Sequence, residues 1–101
     1  MENNTVDVLK ALGDPIRLGI VQRLLIKEEL CACNFLDAFD ITQPTLSFHM
    51  KKLTSCGLVN VRRDGTWMKY TLNDDKVRGL IHVLEGMLET KEIECACDVN
   101  K

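Results

Sequence analysis

Four of the five cysteines in this 101-residue chain stand in two tight pairs, Cys31-Ala32-Cys33 and Cys95-Ala96-Cys97, each with a glutamate close before it. Thiolates are soft ligands. A site with no histidine or carboxylate suits soft or borderline ions such as As(III) or Cd(II) better than magnesium or manganese. Arsenite takes three thiolates, and the first pair is followed by Asn34, Phe35 and Leu36, so it supplies two. Cys95 or Cys97, from the same or a partner subunit, is the candidate for the third. Four thiolates from both pairs would instead form a tetrahedral Cd(II) or Zn(II) site. In a reducing compartment clustered thiols serve as metal ligands or redox sensors more often than as staples, so oxidation of the pair is the competing chemistry. Cys56, just before Gly57, reads as a small semi-buried residue.

A second set of residues suits nucleic acid. Thr42 is a good N-cap, and Gln43-Pro44 suit the first turn of a helix that buries Leu46, Met50 and Leu53 at i, i+4, i+7. At about 100° per residue, Pro44, Ser47, Phe48 and Lys51 then face outward, flanked by Thr45 and Lys52. An exposed Phe48 can meet a thymine methyl, or else fold back on a neighbouring element. Gln43, Thr45, Ser47 and His49 can reach base edges or phosphates. Lys51, Lys52, Arg62, Arg63 and Lys69 would mainly hold phosphates.

These side chains need positioning elements. A first helix is expected over about Thr5 to Leu12, with Val8, Leu9 and Leu12 apolar, and Gly13 breaks it. Asp14-Pro15 opens a second that runs to about Lys27 and buries Ile16, Ile20, Val21 and Leu24. A short third helix is expected from about Leu30 to Phe39. With the capped fourth helix it makes a helix-turn-helix across Asp40-Ile41. In a helix begun at Leu30, residues i and i+2 point about 200° apart, so Cys31 and Cys33 cannot meet without distorting its first turn. That helix packs on the DNA-reading helix, which offers a route from ligand to DNA. Val59 to Arg63 alternates, Asp64-Gly65 offers a two-residue turn, and Trp67 to Leu72 alternates back. Such a hairpin must pack its apolar face on the helices as a wing. A last helix from about Asp74 to Thr90 presents Val77, Leu80, Ile81, Leu84 and Leu88.

The expected fold is therefore mainly α with one β-hairpin, a five-helix winged helix-turn-helix. Residues 1–91 form the domain and 92–101 a cysteine-bearing tail. The net charge of −2 is poor for a DNA binder, but residues 1–40 carry −3, residues 41–73 carry +4 and residues 74–101 carry −3. The positive charge is gathered where the reading helix and wing lie, and a dimer would double it. No apolar run approaches the roughly 20 residues of a membrane span. Met1-Glu2-Asn3-Asn4 lacks the basic and apolar regions of a signal peptide, so a cytoplasmic location is expected. Thiol enzymes set their cysteine in a loop at a helix N-terminus within a parallel α/β fold. This chain has no βαβ pattern and no phosphate-cradling loop, so no enzyme is expected.

Leu12-Gly13-Asp14-Pro15-Ile16-Arg17-Leu18, Glu29-Leu30-Cys31-Ala32-Cys33, Thr42 to Met50 and Arg63 to Tyr70 together resemble the ArsR/SmtB metalloregulators, over about residues 6–90. The resemblance implies a five-helix winged dimer joined through its first and last helices. It also implies a repressor that binds inverted-repeat operator DNA without inducer and leaves when As(III) or Sb(III), or in the alternative Cd(II) or Pb(II), occupies Cys31 and Cys33. His82 and Glu85 resemble half of the zinc site of the family's zinc sensors. The other half, an Asp-x-His, is replaced here by Lys69-Tyr70-Thr71, so that site is not expected.

Overall fold

The computed structural model describes residues 4–89, so Cys95, Cys97 and the expected tail 92–101 lie outside the described residues. The order of elements is α1 (Asn4–Leu12), α2 (Pro15–Ile26), β1 (Leu30–Cys31), α3 (Ala32–Phe39), α4 (Gln43–Ser55), β2 (Val59–Asp64), β3 (Trp67–Leu72) and α5 (Asp74–Glu89). Five helices carry a three-stranded antiparallel sheet in the order β1-β3-β2.

Local chemistry explains most boundaries. The Asp14 carboxylate accepts from the backbone N–H groups of Ile16 at 2.9 Å and Arg17 at 3.1 Å, capping α2, while Pro15 gives up no needed donor. The Thr42 hydroxyl accepts from the Thr45 N–H at the start of α4. Gly57 leaves α4 at a φ of +84°, where a Cβ would press on the Lys76 side chain. Ile20, Phe35, Leu46, Leu53, Leu58 and Val59 form the fully buried centre. They come from α2, α3, α4, the α4–β2 connection and β2, so one core fixes the reading helix, the third helix and the base of the wing together.

Three details depart from the sequence reading. The wing is a three-stranded sheet rather than a lone hairpin, because Leu30 pairs with Tyr70 and Cys31 with Lys69. The third helix accordingly begins at Ala32, and Cys31 is its N-cap in an extended conformation. The hairpin turn is Gly65-Thr66, since Asp64 still pairs with Trp67, and Gly65 takes the positive φ of 66°.

The terminal helices leave apolar surface open. Val8 and Ala11 of α1 are buried, but Val6 and Leu9 are exposed. No residue of α5 is buried. Val77 and Leu80 pack partly on the core, whereas Ile81, Leu84, Met87 and Leu88 face outward.

Candidate DNA-reading face and thiol pair

The α4 cap and the burial of Leu46, Met50 and Leu53 turn Gln43, Thr45, Ser47, Phe48, Lys51 and Lys52 outward together. Phe48 is 56% exposed. Its ring meets the edge of His49 and lies under the Lys52 ammonium, each 5.3 Å away. It does not fold onto the wing. It lines an open cleft of about 460 Å³ with Lys10, Arg17, Lys51, Lys52 and the single acid Asp7.

His49 departs from expectation. It is only 9% exposed, on the side of α4 that faces α2. Arg17 donates from Nη1 to His49 Nδ1 at 3.0 Å and from Nε to the Ala11 carbonyl at 2.7 Å. An arginine only donates, so Nδ1 is the acceptor and the neutral ring carries its proton on Nε2. Asp14 stands 3.8 Å away. His49 therefore anchors the reading helix to α1 and α2 and is withdrawn from base or phosphate contact. The helical spacing already carried a signal, because position 49 adjoins the buried stripe.

The wing cations are also not equivalent. Arg62 makes a forked pair with Glu29, Nε to Oε2 at 2.9 Å and Nη2 to Oε1 at 3.0 Å, with Asp64 3.7 Å away. The Glu29 carboxylate raises the pKa of this guanidinium further. Lys69 lies 3.5 Å from Asp64. Arg63 is exposed at the hairpin and, among the described residues, makes no ion pair. The sequence reading did not single out Glu29 as a partner of the wing.

At the start of α3 the two sulfurs already meet. Cys31 Sγ and Cys33 Sγ are 2.7 Å apart, because an extended N-cap does not obey the 100° helical step. No unwinding of α3 is needed to bring them together, which corrects the expectation from helical geometry. Asn34 Oδ1 accepts from the Cys31 N–H at 2.9 Å and lies 3.3 Å from its sulfur, holding the cap. The Cys33 thiol, donating to the Cys31 sulfur, lowers the Cys31 pKa below the ordinary thiol value, and the same contact raises that of Cys33. Cys31 is thus the first of the two to ionise, at an accessible site. The donor set fits a soft ion through two bonds. Among the described residues no group of three or more His, Cys, Asp or Glu side chains gathers for a metal, and His82 is an exposed residue of α5. Cys56 is buried and donates to the Leu53 carbonyl.

A capped reading helix with a polar outer face, a wing carrying cations and a helix beneath them define a winged helix-turn-helix transcriptional regulator. Residues 14–61 match the profile of the bacterial regulatory protein, arsR family. The chain is 42% identical over 90 residues to the arsenical resistance operon repressor of Staphylococcus xylosus, covering 89% of this chain and 85% of that one. The fold is shared with an ArsR family transcriptional regulator of known structure, with a TM-score of 0.85 over 91% of this chain and all of that one at 18% identity. HlyU from Vibrio cholerae superposes with a TM-score of 0.70 at 32% identity, over 86% of this chain and 97% of that one. The chain belongs to the arsR family of regulators, and it is not an enzyme. No helix among the described residues is long and apolar enough to cross a membrane.

Proposed function

We propose that this protein is a homodimeric, cytoplasmic repressor that holds double-stranded, inverted-repeat operator DNA and releases it when As(III) or Sb(III) is taken up by Cys31 and Cys33. The observation that carries the reading is the converged sulfur pair at the N-cap of α3, one helix away from the DNA-reading face. Gln43, Thr45, Ser47 and Phe48 read the major groove, while Lys51, Lys52, Arg63 and, in part, Arg62 and Lys69 hold the backbone. Likeness to a repressor of arsenical resistance supports the metalloid. Two bonds leave such a centre open, and Cys95 or Cys97 is the proposed third donor.

The thiols act through position. Cys31 is at once the last residue of β1 and the cap of α3, and α3 packs on α4. Binding at this point favours whichever arrangement of α3 and wing the ligand prefers. Release follows if DNA prefers the other one.

The experiment is a titration of a duplex, selected by this protein from a random pool, with arsenite, antimonite and Cd(II) under strictly reducing conditions. Arsenite and antimonite should displace wild type, and Cys31→Ser should abolish the response. A Cys95→Ser/Cys97→Ser variant decides whether the second pair takes part. The short sulfur contact also favours oxidation to a disulfide, with both thiol protons and two electrons passing to an added oxidant such as diamide. DNA lost to diamide but kept with all three ions would replace the metalloid reading with a redox one.

A further inference from the structure

The register of the sheet places the thiol pair in line with the wing. Cys31 pairs with Lys69, and Lys69 pairs with Arg62, so these three residues stand abreast on adjacent strands. Directly opposed residues of an antiparallel sheet project to the same face. Leu30, Tyr70 and Val61 stand abreast in the next row, where Tyr70 is buried and meets Phe35 of α3 edge-on at 6.2 Å. Glu29, two residues before Cys31, thus returns to the face of Cys31 and Arg62, and there it makes the forked pair described above.

We propose that Glu29 is a positioning residue that couples the Cys31/Cys33 pair to the wing, its grip on Arg62 setting how the wing cations are presented to DNA. The inference rests on the reading of the thiol pair as the sensor. Its basis is chain continuity and charge. Two sulfurs that share one ion at about 2.3 Å each, in tetrahedral directions, stand roughly 3.7 Å apart, so they must separate from their present 2.7 Å. The backbone that must adjust is β1, a strand of two residues whose one sheet neighbour is β3. Glu29 sits at its free end, and its partner is a planar fork that tolerates little displacement. A small shift of β1 therefore breaks a two-bond contact on the wing. Arg62 then exchanges Glu29 for Asp64, which is already 3.7 Å away, and the hairpin loses its tie to the base of α3.

The test compares wild type, Glu29→Gln, Arg62→Lys and the double variant on one selected duplex. DNA affinity is measured with and without Cd(II) and with and without arsenite. Cd(II) affinity is measured separately from thiolate–metal absorbance without DNA. Glu29→Gln should bind Cd(II) within about twofold of wild type, yet its ion-driven loss of DNA affinity should shrink roughly tenfold. Arg62→Lys keeps the charge but not the fork, and should lose the same coupling whatever happens to its basal DNA affinity. The double variant should lose no more than either single one, as for a shared interaction. Coupling equal to wild type in Glu29→Gln, or additive losses in the double variant, overturns the proposal. Weaker metal-free DNA binding with unchanged coupling also overturns it, because that is the mark of a purely structural pair. If wild type itself keeps its DNA with both ions, the sensor reading fails first and this inference falls with it.

Discussion

Asp14 illustrates how much one side chain fixes. Its carboxylate caps α2 through two backbone N–H groups, and it also stands beside His49 of the reading helix. The Arg17 N–H bond holds its pKa below the ordinary carboxylate value, although partial burial works the other way. A carboxylate whose pKa is lowered on folding stabilises the fold above its unfolded pKa. That stabilisation is lost as pH falls through the folded value. Asp14→Ala should therefore cost about 1 kcal/mol of unfolding free energy at neutral pH. The gap between variant and wild type should narrow in acid, below the ordinary carboxylate range. Denaturant unfolding at neutral and acid pH checks both the size and the sign. A gap that widens in acid would assign the effect to something other than the ionised cap.

Among elements, α4 separates two kinds of contribution to DNA binding. Lys51 is exposed on the outer face, whereas His49 is buried against Arg17. Lys51→Ala should weaken binding to all sequences alike and lower the salt dependence by roughly one ion per subunit. His49→Ala should weaken binding while leaving the salt dependence unchanged, because it loosens the seat of the helix and removes no phosphate contact. Fluorescence anisotropy at several salt concentrations distinguishes the two. The same contrast marks what was legible from residues alone. Asp14-Pro15, Thr42 with Pro44, and Gly57 are local signals, and each boundary they mark is where the chain places it. The short strand β1 exists only through pairing with residues 69 and 70, so helical spacing absorbed it into α3 and hid the converged sulfurs. The partners of His49 and Arg62 lie 32 and 33 residues away in sequence, beyond any local pattern. The outward face of α4 was legible because burial of Leu46, Met50 and Leu53 is a matter of period. The role of Glu29 was not.

At the scale of the whole molecule, α5 is the element that a single chain does not explain. Its 16 residues span about 24 Å, yet none is buried. Ile81, Leu84 and Leu88 follow the i, i+3, i+7 stripe that a buried helix would use, and Met87 and Leu88 are 62% and 69% exposed. Val6 and Leu9 leave a second apolar edge on α1. Covering both edges with a second copy would bury this surface, and the two-fold symmetry of such a pair is what the proposed inverted repeat requires. The net charge of −2 makes the pairing matter for DNA as well, since a second copy would double the +4 that residues 41–73 carry. Leu84→Glu/Leu88→Glu places charge in the proposed interface without touching the buried core or α4. Sedimentation should find this variant monomeric where wild type is dimeric, with helix content retained by circular dichroism. Binding to a full inverted repeat should then fall at least a hundredfold, since two half-sites no longer add. Affinity for an isolated half-site should change little. A variant that stays dimeric would move the interface elsewhere, and one that is monomeric yet binds the full site unchanged would remove the need for a dimer.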